Sequence, residues 1–263
     1  MKVATWNINS VRLRLPQVSK LLRGETPDVL CLQETKVIND LFPADALKRL
    51  GYIHQAINGQ KGYHGVAIVS RLPFASQSSQ SFCGKDDSRH VAVTFENGVE
   101  LHNFYVPAGG DIPDPMLNPK FVHKLDFLRE MASMFERRRA RSGPIVLVGD
   151  LNVAPLENDV WSHKQLLDVV SHTPAETELL GELRASLDWL DVTRSFVPAS
   201  EKIFSWWSYR AQDWEASDRG RRLDHIWVSP ALHGAANAHS IFKSARGWTQ
   251  ASDHVPVLAT FDV

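Results

Sequence analysis

Asn7, Gln33-Glu34, Gly149-Asp150-Leu151-Asn152, Leu223-Asp224 and Ser252-Asp253-His254 each set an acid, an amide or an imidazole beside an apolar run that reads as a strand. Such groups are costly at the ends of buried strands unless they meet one another or a cation. Carboxylates and amides with a single histidine form a hard donor set, which suits Mg²⁺ or Mn²⁺ better than zinc. The chemistry these residues point to is metal-dependent hydrolysis, above all of phosphodiesters.

Each group has a physical reason to be singled out. Glu34 leaves Val29-Leu30-Cys31-Leu32-Gln33 where a buried strand stops, as a metal ligand or as a surface acid capping the next turn. Asp150 and Asn152 follow Ile145-Val146-Leu147-Val148-Gly149 and share one side if the strand continues; Asp-x-Asn is also a common turn. Asp224 interrupts an apolar strand and needs a partner, for which His254 is nominated. A carboxylate on one imidazole nitrogen fixes the tautomer and favours the charged ring, leaving the other nitrogen to donate to a phosphate oxygen. Asp253 and His254 reach one site only if the chain turns before Val255, which Ser252 and Pro256 permit.

Elements that position these residues are legible as alternating runs. Strands are expected at Lys2 to Ile8, Val29 to Gln33, Val66 to Ser70, Val91 to Phe95, Val99 to Val106, Ile145 to Val148, Leu223 to Val228 and Val255 to Phe261. Helices are expected at Pro16 to Arg23, Pro43 to Leu50, Pro119 to Arg139 and Thr177 to Trp189, three of them opened by a proline. Glu96-Asn97-Gly98 is a hairpin signal. The mixture points to an α/β fold of two β-sheets packed face to face with helices outside. No linker or repeat divides the chain, so residues 1–263 are read as one domain.

Composition narrows the function. A formal net charge of −1 and a pI near 6.8 exclude a uniformly basic nucleic-acid coat, though a local basic face is still allowed. Two cysteines cannot staple 263 residues, and Cys31 reads as a core thiol. Met1-Lys2-Val3 runs straight into a strand with no leader-like apolar stretch, so a cytoplasmic protein with no membrane association is expected.

Thr5-Trp6-Asn7-Ile8-Asn9, Leu32-Gln33-Glu34-Thr35-Lys36, Gly62-Tyr63-His64-Gly65, Tyr105-Val106-Pro107, Gly149-Asp150-Leu151-Asn152, Phe204-Ser205-Trp206-Trp207, Arg222-Leu223-Asp224 and Ser252-Asp253-His254 stand in one order. In these strings the chain resembles the exonuclease III family of apurinic/apyrimidinic endonucleases, within the endonuclease/exonuclease/phosphatase superfamily. The resemblance implies a four-layered α/β sandwich with two mixed β-sheets. It also implies a monomeric Mg²⁺-dependent enzyme, Mn²⁺ substituting, with one or two ions. Its substrate would be double-stranded DNA with abasic sites or blocked 3′ ends. By resemblance Glu34, with Asn7 and Asp253, would hold the principal ion, and Asp150 and Asn152 would flank the attacking water and a second ion. Asp224 would orient His254, close to the phosphate and to metal, and Tyr105 would donate to the phosphate or, if ionised, activate water.

Contacts to DNA are expected from Tyr63, Lys120, Trp206 and Arg221, with Lys124, Trp207, Arg219 and Arg222 as further candidates. Ala108 departs from the amide-bearing residue that relatives often carry after the tyrosine-valine-proline string. Two other readings stand beside the nuclease: a superfamily phosphodiesterase or phosphatase acting on a lipid or small molecule, and a non-catalytic nucleic-acid-binding regulator. Tyr105, where the deoxyribonuclease-like and phosphatase-like relatives usually carry histidine, favours DNA repair over a lipid or inositol substrate.

Overall fold

The computed structural model describes residues 1–141, 143–211 and 213–263, the side chain of Arg141 excepted. β1 (Lys2–Asn7), β2 (Val29–Gln33), β3 (His54–Asn58) and β4 (Val66–Ser70) begin one sheet. β5 (Phe74–Ser78), β6 (His90–Phe95), β7 (Glu100–Tyr105), β8 (Ile145–Asp150) and β9 (Leu190–Asp191) belong to a second. β10 (Trp206–Trp207) and β11 (Gly220–Arg221) form a short ribbon. β12 (Asp224–Val228) inserts between β8 and β9, and β13 (Ala236–Ile241) and β14 (Val257–Phe261) complete the first sheet. The orders are β13-β14-β1-β2-β4-β3 and β5-β6-β7-β8-β12-β9, each with one parallel pair, β1–β2 and β7–β8.

The apolar runs are continuous because the central strands are buried on both faces. Val3, Val29, Cys31 and Ile68 point between the sheets, against Val93, Leu101, Val146, Val148 and Ile226. Their neighbours Ala4, Trp6, Leu30 and Leu32 point outward beneath α1 (Leu15–Gly24), whose Val18, Leu21 and Leu22 close that layer. α2 (Ala44–Lys48) adds Leu47 to the same face. On the other side Ile145, Leu147 and Trp227 pack under α3 (Pro119–Glu136). α4 (His163–Leu166) sits on Val160 and Leu223, and α5 (Pro174–Ser186) packs beside α3. Helix, sheet, sheet and helix are the four layers expected.

Toward the end of the sandwich that holds the polar strings, the space between the sheets turns hydrophilic. Gln33 Nε2 donates to Thr5 Oγ1 at 2.9 Å and to Asn103 Oδ1 at 2.7 Å. Asn103 Nδ2 donates to the carbonyls of Leu32 and Ala67, both at 3.0 Å. Buried amides bonded this way fix one sheet's position on the other.

Six strands were not expected: β9, β10 and β11, of two residues each, and three longer ones. β3, β5 and β13 are edge strands, and their mostly polar, half-exposed side chains give no strict alternation. α5 begins at Pro174, earlier than Thr177, because Thr173 and Glu176 form a capping box. α3 ends at Glu136 rather than Arg139.

Candidate active site

Strand register explains why distant residues meet. Across the second sheet Tyr105 stands opposite Asp150, and Asp150 opposite Asp224, so a phenol and two carboxylates line up on three neighbouring strands. In the first sheet Asn7 stands opposite Gln33, with Glu34 the next residue. The two rows join through one amide: Asn7 Nδ2 donates to Glu34 Oε1 at 3.0 Å and to Asp150 Oδ2 at 2.8 Å. Glu34 itself takes φ +51°, a conformation that a non-glycine residue holds only where its surroundings impose it. Lys36 Nζ lies 2.8 Å from its other oxygen.

Asp150 and Asn152 do converge, but not by a continuing strand. β8 stops at Asp150 and Asn152 takes φ +54°. The turn folds back so that Asn152 N donates to Asp150 Oδ1 at 2.9 Å and Asn152 Nδ2 to Asp150 Oδ2 at 3.1 Å and Val106 O at 2.9 Å. Gly149 carries the strand past Val148, where it was expected to end. At φ +141° a Cβ there would stand 1.9 Å from the Phe104 carbonyl oxygen.

His254 is buried, its Nδ1 2.8 Å from Asp224 Oδ2 and its Nε2 3.7 Å from Asp150 Oδ2. Ser205 Oγ donates to the same Asp224 oxygen at 2.7 Å, and Trp6 Nε1 donates to the His254 carbonyl at 3.0 Å. The chain turns ahead of β14, so Asp253 and His254 both line the cleft. Asp253 accepts from Asn9 Nδ2 at 3.1 Å and from Trp206 Nε1 at 3.0 Å. Ser205, Asn9 and Lys36 stand inside the quoted strings, but nothing in the sequence sets them apart from their neighbours.

Charge is tightly organised. Burial works against a proton on His254, yet the carboxylates of Asp224 and Asp150 raise its pKa to about 10, so the ring is an imidazolium at neutral pH. Burial lifts Asp150 to about 7, with Asp224 and Glu34 adding to the rise and His254 and the Asn7 amide opposing it. Burial would also raise Glu34 and Asp253, but Lys36 and Asn7 hold the first down, and His254 with the Trp206 and Asn9 hydrogen bonds the second. Tyr105 is pushed well above the usual 10 by burial and by Glu34 and Asp150, so in the metal-free site the phenol keeps its proton.

Glu34, Asp150, Asp224 and Asp253 thus crowd around His254 and Lys36. Asp150, Asp224 and His254 offer ligand atoms within 4.8 Å of one another. With His254 Nδ1 bonded to Asp224 and the ring charged, the carboxylate and amide oxygens of Glu34, Asp253, Asp150 and Asn7 are the donors that suit a cation. A divalent, oxygen-seeking ion fits that donor set.

The cleft has a volume of about 700 Å³ and is lined by Glu34, Tyr105, Asp150, Asn152, Asp253 and His254 together with Trp161, Val170, Trp206, Arg219 and Arg221. The Arg221 guanidinium lies 5.2 Å from the Trp206 ring and that of Arg219 4.8 Å from Trp161, a mixed aromatic and basic wall. Tyr63 and Lys120 are exposed outside the cleft lining. Three expected contacts are overturned by burial. Lys124 is fully buried against Glu176, Arg222 is locked between Asp159 and Asp191, and Trp207 is a core residue donating to Asp218.

The chain belongs to the endonuclease/exonuclease/phosphatase family, which residues 4–254 match. Within it the similarity runs to the exonuclease III type. Exodeoxyribonuclease III of Haemophilus influenzae is 30% identical over 272 residues, covering 99% of this chain and all of that protein. A 3′ phosphatase from Neisseria bound to a product DNA hairpin is 33% identical with a TM-score of 0.92. An AP endonuclease from Archaeoglobus fulgidus is 32% identical with a TM-score of 0.89, and both structures align over the full length of both chains. The protein is a hydrolase of the exonuclease III type. Among the described residues no helix is long and apolar enough to cross a membrane.

Proposed function

We propose that this protein is a Mg²⁺-dependent DNA repair nuclease. It hydrolyses the phosphodiester 5′ to an abasic site and trims or cleans blocked 3′ ends of duplex DNA, acting as a cytoplasmic monomer. The observation that carries the reading is the single cleft in which Tyr105, Glu34, Asp150, Asn152, Asp253 and His254 converge under an aromatic and basic wall. The named activities of the Neisseria and Archaeoglobus proteins support it.

Glu34, Asp253 and Asn7 would hold the principal ion, with Asp150 and Asn152 beside a second. A bound Mg²⁺ supplies positive charge against the phosphoryl oxygens. The remaining work falls to side chains. His254, kept charged by Asp224, donates from Nε2 to a non-bridging oxygen, and Tyr105 donates its phenolic proton to the same group. Asp150 is the residue placed to exchange a proton with water or the leaving oxygen near neutral pH, and the Asn152 amide fixes its orientation. Trp206 and Arg221 would form the wall against the sugar and backbone, with Tyr63 and Lys120 as outer phosphate contacts.

A labelled duplex with one abasic-site analogue, incubated with Mg²⁺ or with excess chelator beside an intact duplex, tests this. Incision only with metal is expected, and a ladder on the intact duplex would report exonuclease strength. Glu34→Ala should lower kcat at least about 10²-fold while the protein still binds DNA. Binding without cleavage by the unsubstituted protein would replace the reading with that of a regulator.

A further inference from the structure

A fully buried and hydrogen-bonded charge pair lies behind the cleft wall, outside the residues given roles above. Lys124 and Glu176 are both fully buried. Lys124 Nζ spends its donors on Glu176 Oε1, on the Asn152 carbonyl at 2.7 Å and on the Ala108 carbonyl at 3.3 Å. Glu176 in turn accepts from Ser171 N at 2.9 Å, Thr173 N at 3.1 Å and Thr173 Oγ1 at 2.7 Å. Four segments are therefore tied at one point: the turn after β7, the turn after β8, the loop entering α5, and α3.

Three of the tied segments line the cleft, which Ala108, Asn152, Val170 and Ser171 all face. Two of them hold unfavourable backbone, with Asn152 at φ +54° and Ser171 at φ +89°. Strained positions persist only where their surroundings over-determine them. Ser171 is held from both sides, since its hydroxyl also accepts from Arg221 Nη1 at 2.7 Å and its carbonyl from Ala154 N at 2.7 Å. The turn is shaped around the lysine as well: a Cβ on Gly109 would stand 2.9 Å from Lys124 Cδ. A buried pair is weak as a source of stability, because desolvation offsets most of its attraction, so its use here is geometric.

We infer that Lys124 and Glu176 are positioning residues for phosphodiester cleavage, acting through the Asn152 turn and the Val170–Thr173 wall. The inference rests on the nuclease reading above. The pair fixes where the Asn152 amide stands against Asp150 and where the wall stands against the substrate.

The test is the charge-neutral double substitution Lys124→Met/Glu176→Gln, made with and without Asn152→Ala. Folding is checked by circular dichroism, and hydrogen exchange is followed by mass spectrometry over residues 150–154 and 169–173. Expected are a folded protein, faster exchange in those two segments, and kcat lower by about 10²-fold with KM changed far less. In the Asn152→Ala background the same substitution should cost clearly less, because one of the two routes is already cut. Unchanged exchange and kcat in a folded variant overturn the inference, as does a full additional loss in the Asn152→Ala background. Should the double variant not fold, Glu176→Gln alone carries the same comparisons. An unsubstituted protein that cuts no DNA, with the exchange effect present, would sink the nuclease reading and leave the tie between the loops standing.

Discussion

At the scale of single residues the site turns on two protons. His254 has its pKa raised above the unfolded value, so its charge is kept below about pH 10 and lost above it. Asp224→Asn removes the largest source of that rise and should bring the ring's pKa back toward the ordinary range. The alkaline limb of the kcat/KM profile should then move down by two units or more; a profile of unchanged shape would show that another group sets it. In Asp150 it is the charged form that burial disfavours. Its folded pKa, about 7, lies above the unfolded one, so the metal-free protein loses stability as pH rises from about 4 to about 7. Asp150→Asn should therefore raise Tm in chelator at pH 8 by a few degrees and leave it nearly unchanged at pH 4. Equal gains at both pH values would contradict the raised pKa. Asp224 and His254 were legible because a carboxylate in an apolar strand needs a partner. Lys124 and Arg222 were not, since residue type alone does not separate a buried, paired cation from a free one.

Strands bring these residues together, and the determinant is register rather than proximity in sequence. β7 and β8 run parallel and β12 antiparallel, so Tyr105, Asp150 and Asp224 form one row, while β1 and β2 place Asn7 and Gln33 in the facing row. Gly149 guards that register, because any side chain there would collide with the Phe104 carbonyl. Gly149→Ala is expected to cost about 3 kcal/mol or more, read as a lower urea midpoint at unchanged m-value. A loss below about 1 kcal/mol would mean the strand shifts easily. The buried strands could be found in the sequence because both faces are apolar. β3, β5 and β13 could not, because an edge strand takes its hydrogen bonds from a neighbour and carries little apolar pattern of its own.

For the whole molecule the question is how a chain of net charge −1 would hold a polyanion. The cleft concentrates buried carboxylates, which alone would repel phosphate. Arg219 and Arg221 line the same cleft and stack on Trp161 and Trp206. Attraction would therefore be local and its salt dependence modest, with few counterions released. Arg221 already donates to the Val170 carbonyl and the Ser171 hydroxyl, whereas Arg219 is held mainly by its ring contact and is the freer of the two to meet a phosphate. Arg219→Gln should reduce the slope of log K against log salt by about 1, as removal of one phosphate contact does, while leaving kcat at saturating DNA nearly intact. Lys120→Gln, on the exposed first turn of α3, should give a similar change. If neither slope moves, the backbone runs elsewhere, and the basic wall acts on the sugar or base inside the cleft rather than on the flanking phosphates.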